Sequence, residues 1–112
     1  MEISFDNEKT RMLLENEKAL KRNFGAQVAK AIMKMMALLR AVDNLFEIRQ
    51  WKSIRLHELE RDRAGQFAVS IKEGNRLLFV PDHDPVPTRD DGRVDWTEIR
   101  RITIVGIVDY YD

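Results

Sequence analysis

Few side chains in this sequence are suited to chemistry, because it contains no cysteine and only two histidines, His57 and His83. An imidazole exchanges a proton near neutral pH, so His57 is a candidate general acid or base. An arginine is a candidate anion ligand, since a planar guanidinium pairs with two phosphate oxygens and stays charged. We assign no function to His83.

The spacing of these residues does not indicate a metal or cofactor site. The two histidines are far apart in the sequence, and the aspartate-rich segment 81–95 lacks the spacing and the glycine of a calcium loop. A glycine-rich motif that would cradle phosphate is also missing. We therefore expect a protein without a metal or a cofactor.

The apolar pattern of the first half predicts the helices of the domain. Ile3 and Phe5 alternate with polar residues, which predicts a short strand. A charged helical segment then extends from Asn7 to about Phe24, with breaks at Asn16 and Gly25. The strongest periodicity follows, with steps of four, three, four and three residues, at Val28, Ile32, Met35, Leu39 and Val42. This helix is either a deeply buried core helix or one that also docks another protein.

The second half predicts strands, separated by a polar turn at 61–65 and a hairpin turn at 73–75. The stretch 81–95 holds all three prolines and predicts a long exposed loop, followed by one helical turn from Asp95. The strands are expected at 54–59, 67–71, 76–80 and 101–108. The order predicts one α+β domain over 1–112, with two amino-terminal helices packed on a twisted, mainly antiparallel sheet of four to five strands.

Three segments resemble, in the same order, the HigB-type toxins of the RelE/ParE superfamily. Residues 55–67, RLHELERDRAGQF, resemble the pattern R-x-H-x-L-K-G-D-R-K-G-x-(F/W) of that family. Residues 75–79, NRLLF, resemble its x-R-(L/I)-x-F strand, and residues 107–111, IVDYY, resemble its (I/V)-x-D-Y-H ending. The resemblance covers residues 55–111, and the two predicted helices fit the helical hairpin of the family.

The resemblance implies a RelE-like fold and a plasmid-maintenance killer protein, the toxin of a type II toxin–antitoxin system. Such a toxin cuts mRNA on the ribosome and inhibits translation. The implied partner is a HigA-like helix-turn-helix antitoxin, and the implied assemblies are a homodimer or a toxin–antitoxin heterotetramer. The catalytic positions of the family fall on His57, Arg76, Asp109, Tyr110 and Tyr111. Carried over from the family, Arg76 is expected to pair with the phosphate, and Tyr110 to stack on a base or position a reacting group. We expect Arg55, Arg61 and Arg63 of this chain to contact the RNA.

The sequence departs from the family pattern in its charges. Glu60 and Ala64 stand where the pattern has lysine, and Tyr111 replaces the terminal histidine, whereas Arg61 replaces a glycine. Two alternative hypotheses therefore stay open. The chain is a catalytically weakened module that retains antitoxin docking, or a ParE-like toxin with a target other than RNA. Arg76 is then a structural partner of the Asp109 carboxylate.

The overall charge weighs against long-range attraction to RNA. Nineteen Lys and Arg residues balance nineteen Asp and Glu residues, whereas a protein that binds RNA by its general field carries a positive excess. Any contact with RNA thus needs a local group of arginines. No secretion signal and no apolar run of roughly 20 residues is present, so we expect a cytoplasmic protein without membrane contact.

Overall fold

A computed structural model of the protein describes residues 1–109. In its first half, a strand is followed by four helices: β1 (Glu2–Phe5), α1 (Glu8–Leu14), α2 (Glu17–Phe24), α3 (Ala26–Ala41) and α4 (Leu45–Ile48). Its second half is mainly strand: β2 (His57–Glu58), β3 (Phe67–Ser70), β4 (Asn75–Pro81) and β5 (Arg101–Asp109). Short 3-10 turns precede each of β2, β3, β4 and β5, at Lys52–Ile54, Arg61–Arg63, Lys72–Gly74 and Trp96–Glu98.

Asparagine caps set the beginnings of the helices. The Asn7 side chain accepts a hydrogen bond from the Thr10 backbone N–H at 2.9 Å. Asn16 caps α2 in the same way, so the break expected there is confirmed. Gly25 separates α2 from α3 with a φ of 84°, which favours glycine. Asn44 begins α4 in a capping box, a short helix that the apolar pattern did not predict.

The five strands form one sheet in the order β1-β5-β4-β3-β2. Strand β1 pairs with β5 in parallel, and the other neighbours are antiparallel. The α+β class and the mainly antiparallel sheet are therefore confirmed. No helix within residues 1–109 is long and apolar enough to cross a membrane.

The helices cover one face of the sheet and enclose the core. Strand residues that alternate along the chain point into it: Phe67, Val69, Leu77, Phe79 and Ile104. Helix α3 buries a wide apolar stripe against them, made of Val28, Ala29, Ile32, Met35, Met36 and Leu39. The interpretation of α3 as a core helix is confirmed, since Met35 and Met36 are both buried.

The strand expected at 54–59 is mostly wrong. Only His57 and Glu58 pair with β3, and Ile54 closes a 3-10 turn. The reason is Arg55, whose backbone is left-handed, with φ 54° and ψ 48°. An extended strand cannot pass through that conformation. The helical turn expected after Asp95 is confirmed, and the Asp95 side chain accepts a hydrogen bond from the Thr97 backbone N–H at 3.1 Å.

Candidate active-site face of the sheet

Strand register brings His57 and Arg76 to the same face of the sheet. His57 lies opposite Ala68, and Arg76 lies opposite Ser70, two residues further along β3. Directly paired residues and every second residue of a strand share one face, so both side chains lie on the face away from the helices. We call it the outer face. Two strand spacings across and two residues along separate their Cα atoms by roughly 12 Å.

The hydrogen bond of His57 decides which of its ring nitrogens can take a proton. The exposed His57 ring places Nδ1 2.8 Å from the carbonyl oxygen of Arg55. Because a carbonyl oxygen only accepts hydrogen bonds, Nδ1 must carry the hydrogen. The neutral ring then keeps the lone pair of Nε2 for another partner. This arrangement is the one that a general base requires.

The backbone of Arg55 holds this carbonyl oxygen in a strained conformation. A left-handed conformation costs a residue other than glycine about 1–2 kcal/mol. Arg61 is also left-handed, with a φ of 58°. Strained residues of this kind concentrate at functional sites. The segment 55–61 therefore combines backbone strain with the histidine, close to the outer face.

Arg76 sits at the centre of the sheet rather than at its edge. Its strand β4 pairs with β3 on one side and with β5 on the other, which restrains its backbone. The guanidinium donates a hydrogen bond from Nη1 to the Asn75 carbonyl oxygen at 3.3 Å. Ser70, directly across on β3, has a buried hydroxyl oxygen without a hydrogen-bond partner within residues 1–109. Among residues 1–109, that hydroxyl is therefore an unused donor beside Arg76.

The remaining predicted catalytic residues lie at the end of the chain. Asp109 is the last residue of β5 and pairs with Asn75, while Val108 lies opposite Arg76. By strand alternation, Asp109 points to the face opposite Arg76. Tyr110 and Tyr111 lie outside the described residues.

The predicted RNA-binding arginines lie on an exposed segment of mixed charge. Arg55, Arg61 and Arg63 are all exposed, and Arg63 donates a hydrogen bond to the Gln66 side chain at 3.4 Å. Glu60 and Asp62 alternate with them along the chain. The segment therefore offers separate cations rather than a continuous basic surface.

A cleft of about 700 Å³ lies beside β2 and was not predicted from the sequence. Phe46 and Arg49 of the α4 region line one side, and Arg89, Arg93 and Trp96 line the other. The Arg49 guanidinium lies over the Trp96 ring, 5.4 Å from its centroid. These residues come from segments far apart in the sequence, so no spacing reveals them. The Phe46 side chain is half-exposed at this cleft.

His83 holds the 81–95 loop against β5, although the sequence indicated no function for it. Its Nε2 accepts hydrogen bonds from the backbone N–H groups of Arg100 and Arg101, at 3.1 and 3.3 Å. Burial lowers the pKa of His83, and the positive charge of Arg101 lowers it further. The carboxylates of Asp82 and Glu98 oppose this shift. The neutral imidazole is thus the form that the fold uses.

The architecture matches that of a known toxin. A YoeB/ParE toxin from Agrobacterium tumefaciens superposes with a TM-score of 0.52 at 11% sequence identity, over 99% of this chain and 100% of that chain. The fold is that of a YoeB/ParE toxin. The RelE-like fold expected from the sequence is therefore confirmed. No protein-family model and no curated protein sequence matches the chain.

Proposed function

We propose that this protein is the toxin of a type II toxin–antitoxin system, of the HigB type, and that it cuts mRNA on the ribosome without a metal ion. The observation that carries the proposal is the placement of His57 and Arg76 on one sheet face, with Nε2 of His57 available as a base. The toxin fold and the resemblance of residues 55–111 to the HigB pattern support it.

The two side chains divide the chemistry between them. His57 Nε2 removes the proton of the ribose 2′-hydroxyl, whose oxygen attacks the adjacent phosphorus. The guanidinium of Arg76 pairs with the phosphate oxygens, on which negative charge builds up. The bond from phosphorus to the 5′-oxygen breaks, and the imidazolium returns the proton to that oxygen. The products are a 2′,3′-cyclic phosphate and a 5′-hydroxyl.

In this proposal the end of the chain and the arginine segment hold the RNA. Tyr110 stacks on a base, and Tyr111 completes the site, whereas Asp109, which points to the opposite face of the sheet, takes no direct part in it. Arg55, Arg61 and Arg63 contact phosphates on the neighbouring part of the strand. The cognate partner is a HigA-like helix-turn-helix antitoxin, bound in a heterotetramer or to a toxin homodimer. The site of action is the cytoplasm.

Expression of the toxin without an antitoxin tests the proposal. The wild-type protein is expected to arrest growth, and 5′-end mapping should show new breaks in mRNA. Arg76→Ala should restore growth, because losing one donor to a developing oxyanion lowers the rate about 100- to 1,000-fold. Arg22→Ala, which removes an exposed arginine of α2, is the matched control and should stay toxic. Full toxicity of a folded Arg76→Ala protein would exclude this site.

Two other functions are kept as alternatives. One is a ParE-like toxin with a non-RNA target, and the other is a weakened module that only docks the antitoxin. The observation that favours them is the mixed charge of the exposed segment around Arg61 and Arg63, where Glu60 and Asp62 repel phosphate. Purified protein that blocks supercoiling by DNA gyrase but not translation would support the ParE-like target. Unimpeded growth on expression alone would support the weakened module.

A further inference from the structure

The cleft beside β2 adjoins the outer face around the edge of the sheet. Strand β2 is an edge strand, since it pairs with β3 alone. His57 points to the outer face, whereas the next residue, Glu58, lies opposite Phe67 on the helix-facing side and lines the cleft. Consecutive Cα atoms are about 3.8 Å apart. A ligand strand bound over His57 therefore reaches the cleft as soon as it bends around this edge.

The cleft combines cations with aromatic rings. Arg93 makes no side-chain hydrogen bond or ion pair with the described residues, and Arg89 pairs with Asp91 at 2.6 Å in an exposed ion pair. Such exposed pairs are worth only about 0–1 kcal/mol, so a phosphate can compete for Arg89. The Phe46 side chain is 49% exposed and offers a ring for stacking, as does the guanidinium plane of Arg49.

The carboxylates of the cleft distinguish between two kinds of anionic ligand. Asp95 accepts hydrogen bonds from Thr97, whereas the Glu58 carboxylate has no hydrogen-bond or ion-pair partner within residues 1–109. An acidic peptide would be repelled by both carboxylates. A nucleotide places its phosphate on the arginines and its base amino group on a carboxylate, the pairing that Glu makes with cytosine N4. The lining as a whole thus fits a nucleotide better than a peptide.

We infer that this cleft binds a nucleotide of the RNA strand next to the one cut on the outer face. Arg89 and Arg93 bind its phosphate, Phe46 and Arg49 stack on its base, and Glu58 accepts a hydrogen bond from the base amino group. This hydrogen bond favours cytosine over uracil, which has no amino group. The cleft volume of about 700 Å³ suits a ligand of this size. The inference rests on the proposed RNA substrate.

Binding of short 2′-O-methyl oligonucleotides tests the inference, because they lack the nucleophile and cannot be cut. Fluorescence anisotropy compares oligocytidylate with oligouridylate over a range of salt concentrations. The double variant Arg89→Ala/Arg93→Ala should lower the slope of log affinity against log salt by about 0.7 for each phosphate that the protein no longer neutralises. Phe46→Ala should weaken binding about tenfold, because the base has no ring to stack on. Glu58→Gln should abolish the preference for oligocytidylate, and Arg22→Ala should change nothing.

Three outcomes would overturn the inference. Cleft variants that bind oligonucleotides as tightly as Arg22→Ala does would show that the RNA binds elsewhere. A wild-type protein that binds no oligonucleotide even at low salt would rule out RNA binding by the cleft. Tighter binding of an oligoglutamate peptide than of either oligonucleotide would assign the cleft to a protein partner. The proposed function is judged separately by the toxicity of Arg76→Ala. If the cleft variants lose oligonucleotide binding while Arg76→Ala stays toxic, the cleft binds RNA but Arg76 does not belong to the cleavage site.

Discussion

The two faces of the sheet are built from the same strands but carry different side chains: one face forms the core, and the other presents the residues of the proposed site. On β3, Phe67 and Val69 pack into the core, while Ala68 and Ser70 belong to the outer face with His57 and Arg76. A slip of one residue in strand pairing would exchange the faces. Burial of the large apolar side chains on the helix side prevents that slip. The packing of one face therefore decides where the chemical groups of the other face point.

Loss of a ring from the helix-facing side should have the largest effect on stability. Phe67 is fully buried, stacks on Phe79 at 5.8 Å and meets the edge of Trp96 at 5.5 Å. Phe67→Ala should lower the free energy of unfolding by about 3–5 kcal/mol, measured by urea denaturation. His57→Ala, on the outer face, should change it by less than about 1 kcal/mol. Equal losses in both variants would show that the faces do not differ as described.

A conservative change on the outer face should affect the reaction and leave the fold intact. Arg76→Lys keeps the positive charge but loses the planar fork that pairs with two phosphate oxygens. The rate of mRNA cleavage in a translation extract should fall about 10- to 100-fold, less than for Arg76→Ala. The urea midpoint should stay close to that of the wild type. Undiminished cleavage by the lysine variant would mean that Arg76 contributes charge alone, without pairing to two oxygens.

Removal of backbone strain next to the outer face should raise the stability of the fold. Arg61 is left-handed, with a φ of 58°, at a position where the HigB pattern has glycine. Arg61→Gly should raise the free energy of unfolding by about 0.5–1 kcal/mol, since relief of strain outweighs the added freedom of the unfolded chain. Arg63→Gly, two residues later and not left-handed, is the matched control and should lower it. If both variants lose stability, Arg61 is not strained.

The regular parts of the fold follow directly from the sequence pattern. The alternation at Phe67 and Val69 and the heptad spacing from Val28 to Leu39 depend only on which side chains avoid water. Asn16 and Gly25 mark helix boundaries through their own local chemistry. The outer-face placement of His57 and Arg76 follows from the same alternation once the strands are paired.

The segment from Asn44 to Gln66 could not be predicted in the same way. The left-handed backbone of Arg55 stands at a residue type that rarely adopts it, so the sequence does not reveal it. The short helix α4 is held by a distant part of the chain, through the hydrogen bond from the Leu45 backbone N–H to the Ile99 carbonyl oxygen. The cleft is hidden for the same reason, because Arg49 and Trp96 meet only after folding. Local propensity carries no information about such contacts.

The smallest expected effect is on the pH dependence of stability, which should differ between His83 and His57. His83 Nε2 must be unprotonated to accept the hydrogen bonds from Arg100 and Arg101, whereas His57 donates from Nδ1 and keeps its bond when protonated. The lowered pKa of His83 means that the unfolded chain binds the proton more readily than the folded one. Its contribution to stability is therefore complete above the ordinary pKa of 6.5 and is lost as the pH falls through the lower pKa of the folded state.

The unfolding free energies of the wild type, His83→Gln and His57→Gln, compared at about pH 7.5 and about pH 5.5, measure this contribution. The wild type and His57→Gln should lose stability on acidification, and His83→Gln should lose less, because it has no imidazole to protonate. The difference in acid-induced loss of stability between the wild type and His83→Gln should be smaller than the effects expected for the variants above, since the imidazole is only partly buried. A larger acid loss in His83→Gln than in the wild type would contradict the neutral imidazole as the form that holds the 81–95 loop. Because this loop carries Arg89 and Arg93, a loop released by acid should also bind oligonucleotides less tightly.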